Sequence, residues 1–145
     1  MNLTDHFTLD ELTRSSTATR LGIDNTPPAE ILPRLNVLAH GLEQVRELLG
    51  FPLHIDSGYR CPVLNAEING ARNSAHVQGY AADFVCPAFG DPLSIAKAIA
   101  FSGIKFDQCI QEGGAWIHIS FDPQARGQQL TAHFGPQGTV YSAGV

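Results

Sequence analysis

The chain has 145 residues, 43% of them hydrophobic, enough for one core, and a single domain over residues 1–145 is expected. Nine basic and 14 acidic residues give a net charge of −5 with no dominant basic patch, which argues against a nucleic-acid partner. No apolar run nears the ~20 residues that cross a bilayer, and the opening Met1-Asn2-Leu3-Thr4-Asp5-His6 carries no readable signal peptide. A soluble globular protein without a membrane partner, acting as a monomer, is expected. The three cysteines, Cys61, Cys86 and Cys109, form no C-x-x-C pair and read as small, mostly buried hydrophobes.

In chain order, residues 8–12 read as a short helix. Thr8 is its cap and Glu11 stands where a capping box needs it. From 29 to 49 the apolar residues Ile31, Leu32, Leu35, Leu38, Ala39, Leu42, Val45, Leu48 and Leu49 recur at three- and four-residue steps. They make one face of a long helix that ends at Gly50 and effectively begins near Pro33. The period then changes: residues 53–57 alternate as a strand running into a turn at Gly58, and residues 62–68 suggest a short helix with proline in its first turn. Residues 69–79, rich in Gly, Asn and Ser, read as loop, 80–85 as a strand and 93–101 as a second amphipathic helix. Gly113-Gly114 between 106–112 and 115–121 signals a hairpin, and one edge strand is expected near 130–134. The fold class is α+β, a small, mostly antiparallel sheet with helices packed around it.

Three potential metal ligands lie at or beside these strands. His76 precedes the strand 80–85, and Asp83 sits inside it between Ala81-Ala82 and Phe84-Val85, where an unpartnered carboxylate is costly. His118 lies within Trp116-Ile117-His118-Ile119-Ser120-Phe121. Alternation there sends Ile117, Ile119 and Phe121 to one face and Trp116, His118 and Ser120 to the other, lining a cleft. Two imidazoles and a carboxylate suit Zn²⁺ and leave a fourth position for water, the mark of a catalytic site at the sheet face. His6, His40 and His54 read as ordinary surface, helix and strand residues, whereas His133 lies where it could approach the cleft.

Three stretches carry a resemblance. They are Ser57-Gly58-Tyr59-Arg60-Cys61-Pro62-Val63-Leu64-Asn65, Ser74-Ala75-His76-Val77-Gln78-Gly79-Tyr80-Ala81-Ala82-Asp83, and Trp116-Ile117-His118-Ile119-Ser120. In this order they resemble the zinc D-Ala-D-Ala carboxypeptidase family of murein peptidases, which includes phage endolysins and vancomycin-resistance dipeptidases. Residues 7–12, 16–18 and 22–25 also look like the family's N-terminal segment. The resemblance implies zinc held by His76, Asp83 and His118, and a peptidoglycan stem peptide as substrate. Arg60 is then a substrate-binding and catalytic residue, since a guanidinium at the mouth of a zinc cleft binds a carboxylate or polarises the scissile carbonyl. Ser74 and Trp116 are further substrate contacts, Ser74 equally suited to shaping its loop.

One position departs from several members of the family, which carry the catalytic glutamate three residues before the last histidine; here that residue is Ala115. The nearest upstream carboxylates are Glu112 and Asp107, and hairpin register separates them. A two-residue Gly113-Gly114 loop puts Asp107 on the zinc face; a three-residue loop that includes Ala115 puts Glu112 there. Glu112 is the expected general base. A zinc metallopeptidase follows, either a D-alanyl-D-alanine carboxypeptidase or a murein endopeptidase of endolysin type. It would reside in the host cytoplasm before release to the cell wall, or on a virion. The alternative is a non-catalytic murein-binding or zinc-stabilised structural module of a phage particle.

Overall fold

The computed structural model describes residues 1–145. Helix α1 (Leu9–Thr13) begins where the Thr8 hydroxyl accepts the Glu11 amide at 3.1 Å. Helix α2 (Ser16–Leu21), unmarked by any apolar stripe, begins in the same way on Ser15. A 3-10 turn, Ala29–Ile31, leads into the long helix α3 (Leu32–Leu49), with Pro33 in the first turn, where its missing amide breaks no helical bond. The stripe Leu35, Leu38, Ala39, Leu42, Val45 and Leu49 is buried, as its spacing requires. Helix α4 (Pro62–Glu67) also opens on proline. The stretch 69–79, expected to be loop, contains one helical turn, α5 (Ala75–Gln78), too short for periodicity to reveal. Helix α6 (Pro92–Ala100) is capped by Asp91, whose carboxylate accepts the Ser94 amide at 2.8 Å.

Six strands form one sheet: β1 (His54–Ser57), β2 (Ala81–Val85), β3 (Gln108–Glu112), β4 (Trp116–Ser120), β5 (Gln128–Gly135) and β6 (Gly138–Ala143). Their order is β1-β2-β4-β3-β5-β6, and every pairing is antiparallel except β3 with β5. The α+β class is therefore as expected, but the C-terminal region differs. In place of one edge strand near 130–134, β5 lies inside the sheet and β6 forms its edge. Every residue of β6 is exposed, so no apolar alternation marks it in the sequence.

The sheet has two chemically distinct faces. Ala82, Phe84, Cys109, Ile117 and Ile119 pack with the stripe of α3 and with Ile95 and Ile99 of α6 in one core. Cys86 and Cys109 are buried free thiols, and burial pushes that of Cys109 up to about 12, far from any reactive state. On the opposite face the ladders align Asp83 with His118, His118 with Ile110, and Trp116 with Glu112.

The segment after β1 is braced from the N-terminal side. The Tyr59 amide donates to the Leu12 carbonyl at 2.7 Å. The buried Asn25 side chain donates to the carbonyls of Thr13 (2.8 Å) and Tyr59 (3.0 Å) and accepts the Cys61 amide (2.7 Å). Gly58 allows this approach, because a Cβ there would collide with the Leu12 carbonyl, which is backbone and cannot rotate away. Gly58→Ala is accordingly expected to destabilise the fold by ~1–3 kcal/mol, the usual cost of overpacking. Urea denaturation measures this, and an unchanged midpoint would contradict the close approach.

Candidate metal centre and its cleft

His76 is presented by α5. The Ser74 hydroxyl caps that turn, accepting the His76 amide at 3.2 Å, and Gly79 ends it in a left-handed conformation at φ 84°. Across the sheet, Asp83 and His118 face each other as direct partners on β2 and β4. His76 Nε2 lies 3.2 Å from Asp83 Oδ1 and 3.2 Å from His118 Nδ1, and His118 Nδ1 lies 3.0 Å from Asp83 Oδ1. One ligand atom from each of the three residues falls within 4.8 Å of the others.

The chemistry of this donor set fits a cation. His76 Nδ1 is 2.8 Å from the Gly58 carbonyl, which only accepts, so Nδ1 carries the proton and a neutral ring keeps its lone pair at Nε2. That lone pair faces the Asp83 carboxylate, and two acceptors in contact repel unless a positive charge stands between them. A second proton on His76 is disfavoured, since burial lowers its pKa against the pull of Asp83. Burial alone would push Asp83 up, but the two imidazoles hold it well below the usual carboxylate range, so it stays ionised. A metal ion satisfies all three atoms, and the Gly58 carbonyl supplies the outer contact that orients His76.

These residues lie in a cleft of about 630 Å³ that Arg60, Ser74, Glu112 and Trp116 also line. Arg60 is anchored through its backbone, the amide donating to the His76 carbonyl at 3.2 Å, and its Nη2 donates to Ser74 Oγ at 3.4 Å. Its Nε is buried with no partner. Burial lowers the guanidinium pKa while Asp83 raises it, and the group remains a cation facing the cleft. Ser74 therefore shapes its loop, through the His76 amide, and also touches Arg60.

The hairpin settles where the two carboxylates stand. Glu112 pairs with Trp116, and the Ala115 amide donates to the Glu112 carbonyl at 2.9 Å, so the loop is the three residues Gly113, Gly114 and Ala115. Gly113 is required there: φ is 58°, and a Cβ would run into the Phe134 ring. This register brings Glu112 to the face of His118. Burial raises its pKa, with His118 lowering and Asp83 raising it further. Asp107 also borders the cleft, but Arg126 clamps it in a bidentate pair, Nε to Oδ1 and Nη2 to Oδ2 both at 2.8 Å, and the Arg126 amide donates to Oδ1 at 3.1 Å. Its lone pairs are committed. His133 points to the other side of β5, with Nε2 3.0 Å from Ser142 Oγ, and does not line this cleft. Sequence reasoning missed Arg126 and Tyr141, which line the cleft from the C-terminal region.

A family model described as Peptidase M15 matches residues 5–120. A comparison with curated proteins finds no match.

The Arg126 clamp lowers the Asp107 pKa, chiefly through its side-chain hydrogen bonds. A depressed folded-state pKa gives stability that is fully present above the unfolded value, near 3.9, and lost as pH falls through the folded value. Asp107→Asn should therefore lower the thermal midpoint by about 3–6 °C at neutral pH. Wild type and variant should converge only once the pH has fallen below the depressed folded-state value of Asp107. A gap that persists in acid, measured by thermal unfolding across pH, contradicts the clamp.

Proposed function

Since the chain belongs to the peptidase M15 family, whose members are zinc-dependent metallopeptidases, we propose that it hydrolyses an amide bond of the peptidoglycan stem peptide. Its manner would be that of a phage endolysin or a D-Ala-D-Ala carboxypeptidase. The observation that carries this reading is the meeting, in one cleft, of a three-residue metal set with a carboxylate that no cation claims and a half-buried guanidinium.

His76, Asp83 and His118 hold the zinc. When bound, zinc supplies Lewis acidity, which polarises the scissile carbonyl and acidifies water. Glu112 takes the proton from the attacking water and delivers it to the leaving amine. Its half-buried setting raises its pKa, which makes it a stronger base than an exposed glutamate. Arg60 grips a substrate carboxylate or carbonyl beside the metal set, with Ser74 holding the guanidinium in place. Trp116 offers a flat apolar wall to the peptide. The missing glutamate at position 115 is no obstacle, because the three-residue loop returns Glu112 to the His118 face.

His118→Ala removes one of three ligands, so metal analysis should find the near-stoichiometric zinc of the wild type largely lost; full occupancy would overturn the ligand set. Glu112→Gln keeps shape and removes basicity, so zinc should remain while murein hydrolysis falls ~10²-fold or more. Wild-type turnover should vanish with chelator and return with zinc. A zinc-loaded, folded chain that leaves purified murein uncut would favour a binding module.

A further inference from the structure

Strands β5 and β6 lie beyond residue 120, where the family match stops, yet they extend the cleft. The ladder Trp116↔Glu112↔Ala132↔Tyr141 runs straight across β4, β3, β5 and β6, so these four side chains share the face of the metal set. Ala132 is 1% exposed although it stands on the solvent side of the sheet. Its neighbours cover it, and it is Glu112 and Tyr141, on either side, that line the cleft. Phe134, from the same strand, meets Trp116 with ring centroids 5.7 Å apart, tying the hairpin to β4. Arg126 is consumed by Asp107, and of the other polar groups that line the cleft beyond the metal set, Gln108, Asp122, Gln124 and Tyr141, it is Tyr141 that stands in the ladder with Glu112 and Trp116 on the far strand.

The cleft therefore runs across the strands, from Arg60 after β1, over the metal set on α5, β2 and β4, past Glu112 and on to Tyr141. Adjacent strands lie ~4.8 Å apart, which places the β6 backbone ~14 Å from that of β4, and the phenol reaches part of the way back. An extended peptide advances ~3.3 Å per residue, so it meets the phenol two or three residues from the metal.

We propose that Tyr141 is a specificity-determining residue that holds the stem peptide two or three residues from the cleaved bond, on the side away from Arg60, so that the cleft favours tetra- and pentapeptides over dipeptides. This rests on the peptidase reading and extends it. The ring covers aliphatic substrate, and the hydroxyl donates to a backbone carbonyl. Burial and the nearby Glu112 charge both raise the phenol pKa, which keeps that donor protonated at neutral pH.

The test uses Trp116, the single tryptophan of the chain, as a probe already in the cleft. Zinc-loaded Glu112→Gln protein, with and without Tyr141→Ala, is titrated with synthetic stem peptides of two to five residues while Trp116 fluorescence is followed. The expected penalty of Tyr141→Ala grows with length, from under twofold on the dipeptide to ~10-fold on the tetra- and pentapeptide. Tyr141→Phe, which keeps the ring on the exposed edge strand, should show a smaller loss with the same length dependence. A penalty equal at all lengths, no penalty at any length, or no binding of any peptide overturns the proposal. Failure of the peptidase reading shows separately, as wild-type zinc protein that leaves murein uncut.

Discussion

The largely buried carboxylate of Asp83 is the constraint around which the rest of the site is arranged. A charge placed within a central strand must be compensated, and both imidazoles that compensate it come from outside that strand. His118 reaches it by direct pairing on β4, so the β2–β4 register cannot slip without separating carboxylate from imidazole. His76 reaches it from a single helical turn that is too short to be stable alone and is held by Ser74, Gly79 and the Gly58 carbonyl. The opposite face of the same strand, Ala82 and Phe84, packs into the core formed with α3 and α6, which keeps the platform rigid.

Division of labour among the acidic groups follows from their partners rather than from their distance along the chain. Asp83 faces two imidazole nitrogens, the setting of a metal ligand. Asp107 is saturated by one arginine and pins the crossover from β4 to β5, aided by the Gln128 amide donating to the Asp107 carbonyl at 2.9 Å. Glu112, at the end of β3, has neither a metal contact nor a cationic clamp, and partial burial leaves it the most basic of the three. A loop one residue shorter would exchange the faces of Glu112 and its neighbours; the register of one hairpin thus decides which carboxylate stands on the His118 face.

Much of this was legible before the fold was known. Alternation in Trp116–Ser120 sorted the core-facing isoleucines from His118, and the cost of burying Asp83 singled it out, because both signals depend only on local geometry. The hairpin register was not legible, since Gly113-Gly114 suits loops of two and of three residues. Helix α5 was hidden because one turn shows no periodicity. Strand β6 was hidden because none of its side chains is buried, so the pattern that betrays a strand is absent, and with it went the place of Tyr141 in the cleft. Arg126 was equally unreadable: its partner lies 19 residues away, joined only when the crossover folds back.

Asn25 has a consequence for anyone transplanting this site. It belongs to neither the sheet nor the metal set, yet its three bonds to Thr13, Tyr59 and Cys61 determine the path of the chain on which Arg60 rides. A reduced scaffold made of the sheet and its helices alone would lose the brace on that path, and with it the placing of the guanidinium and of the Gly58 carbonyl that meets His76 Nδ1. The first 25 residues act as a handle on the segment that carries both Arg60 and the Gly58 carbonyl, so a change there reaches the guanidinium and His76 together.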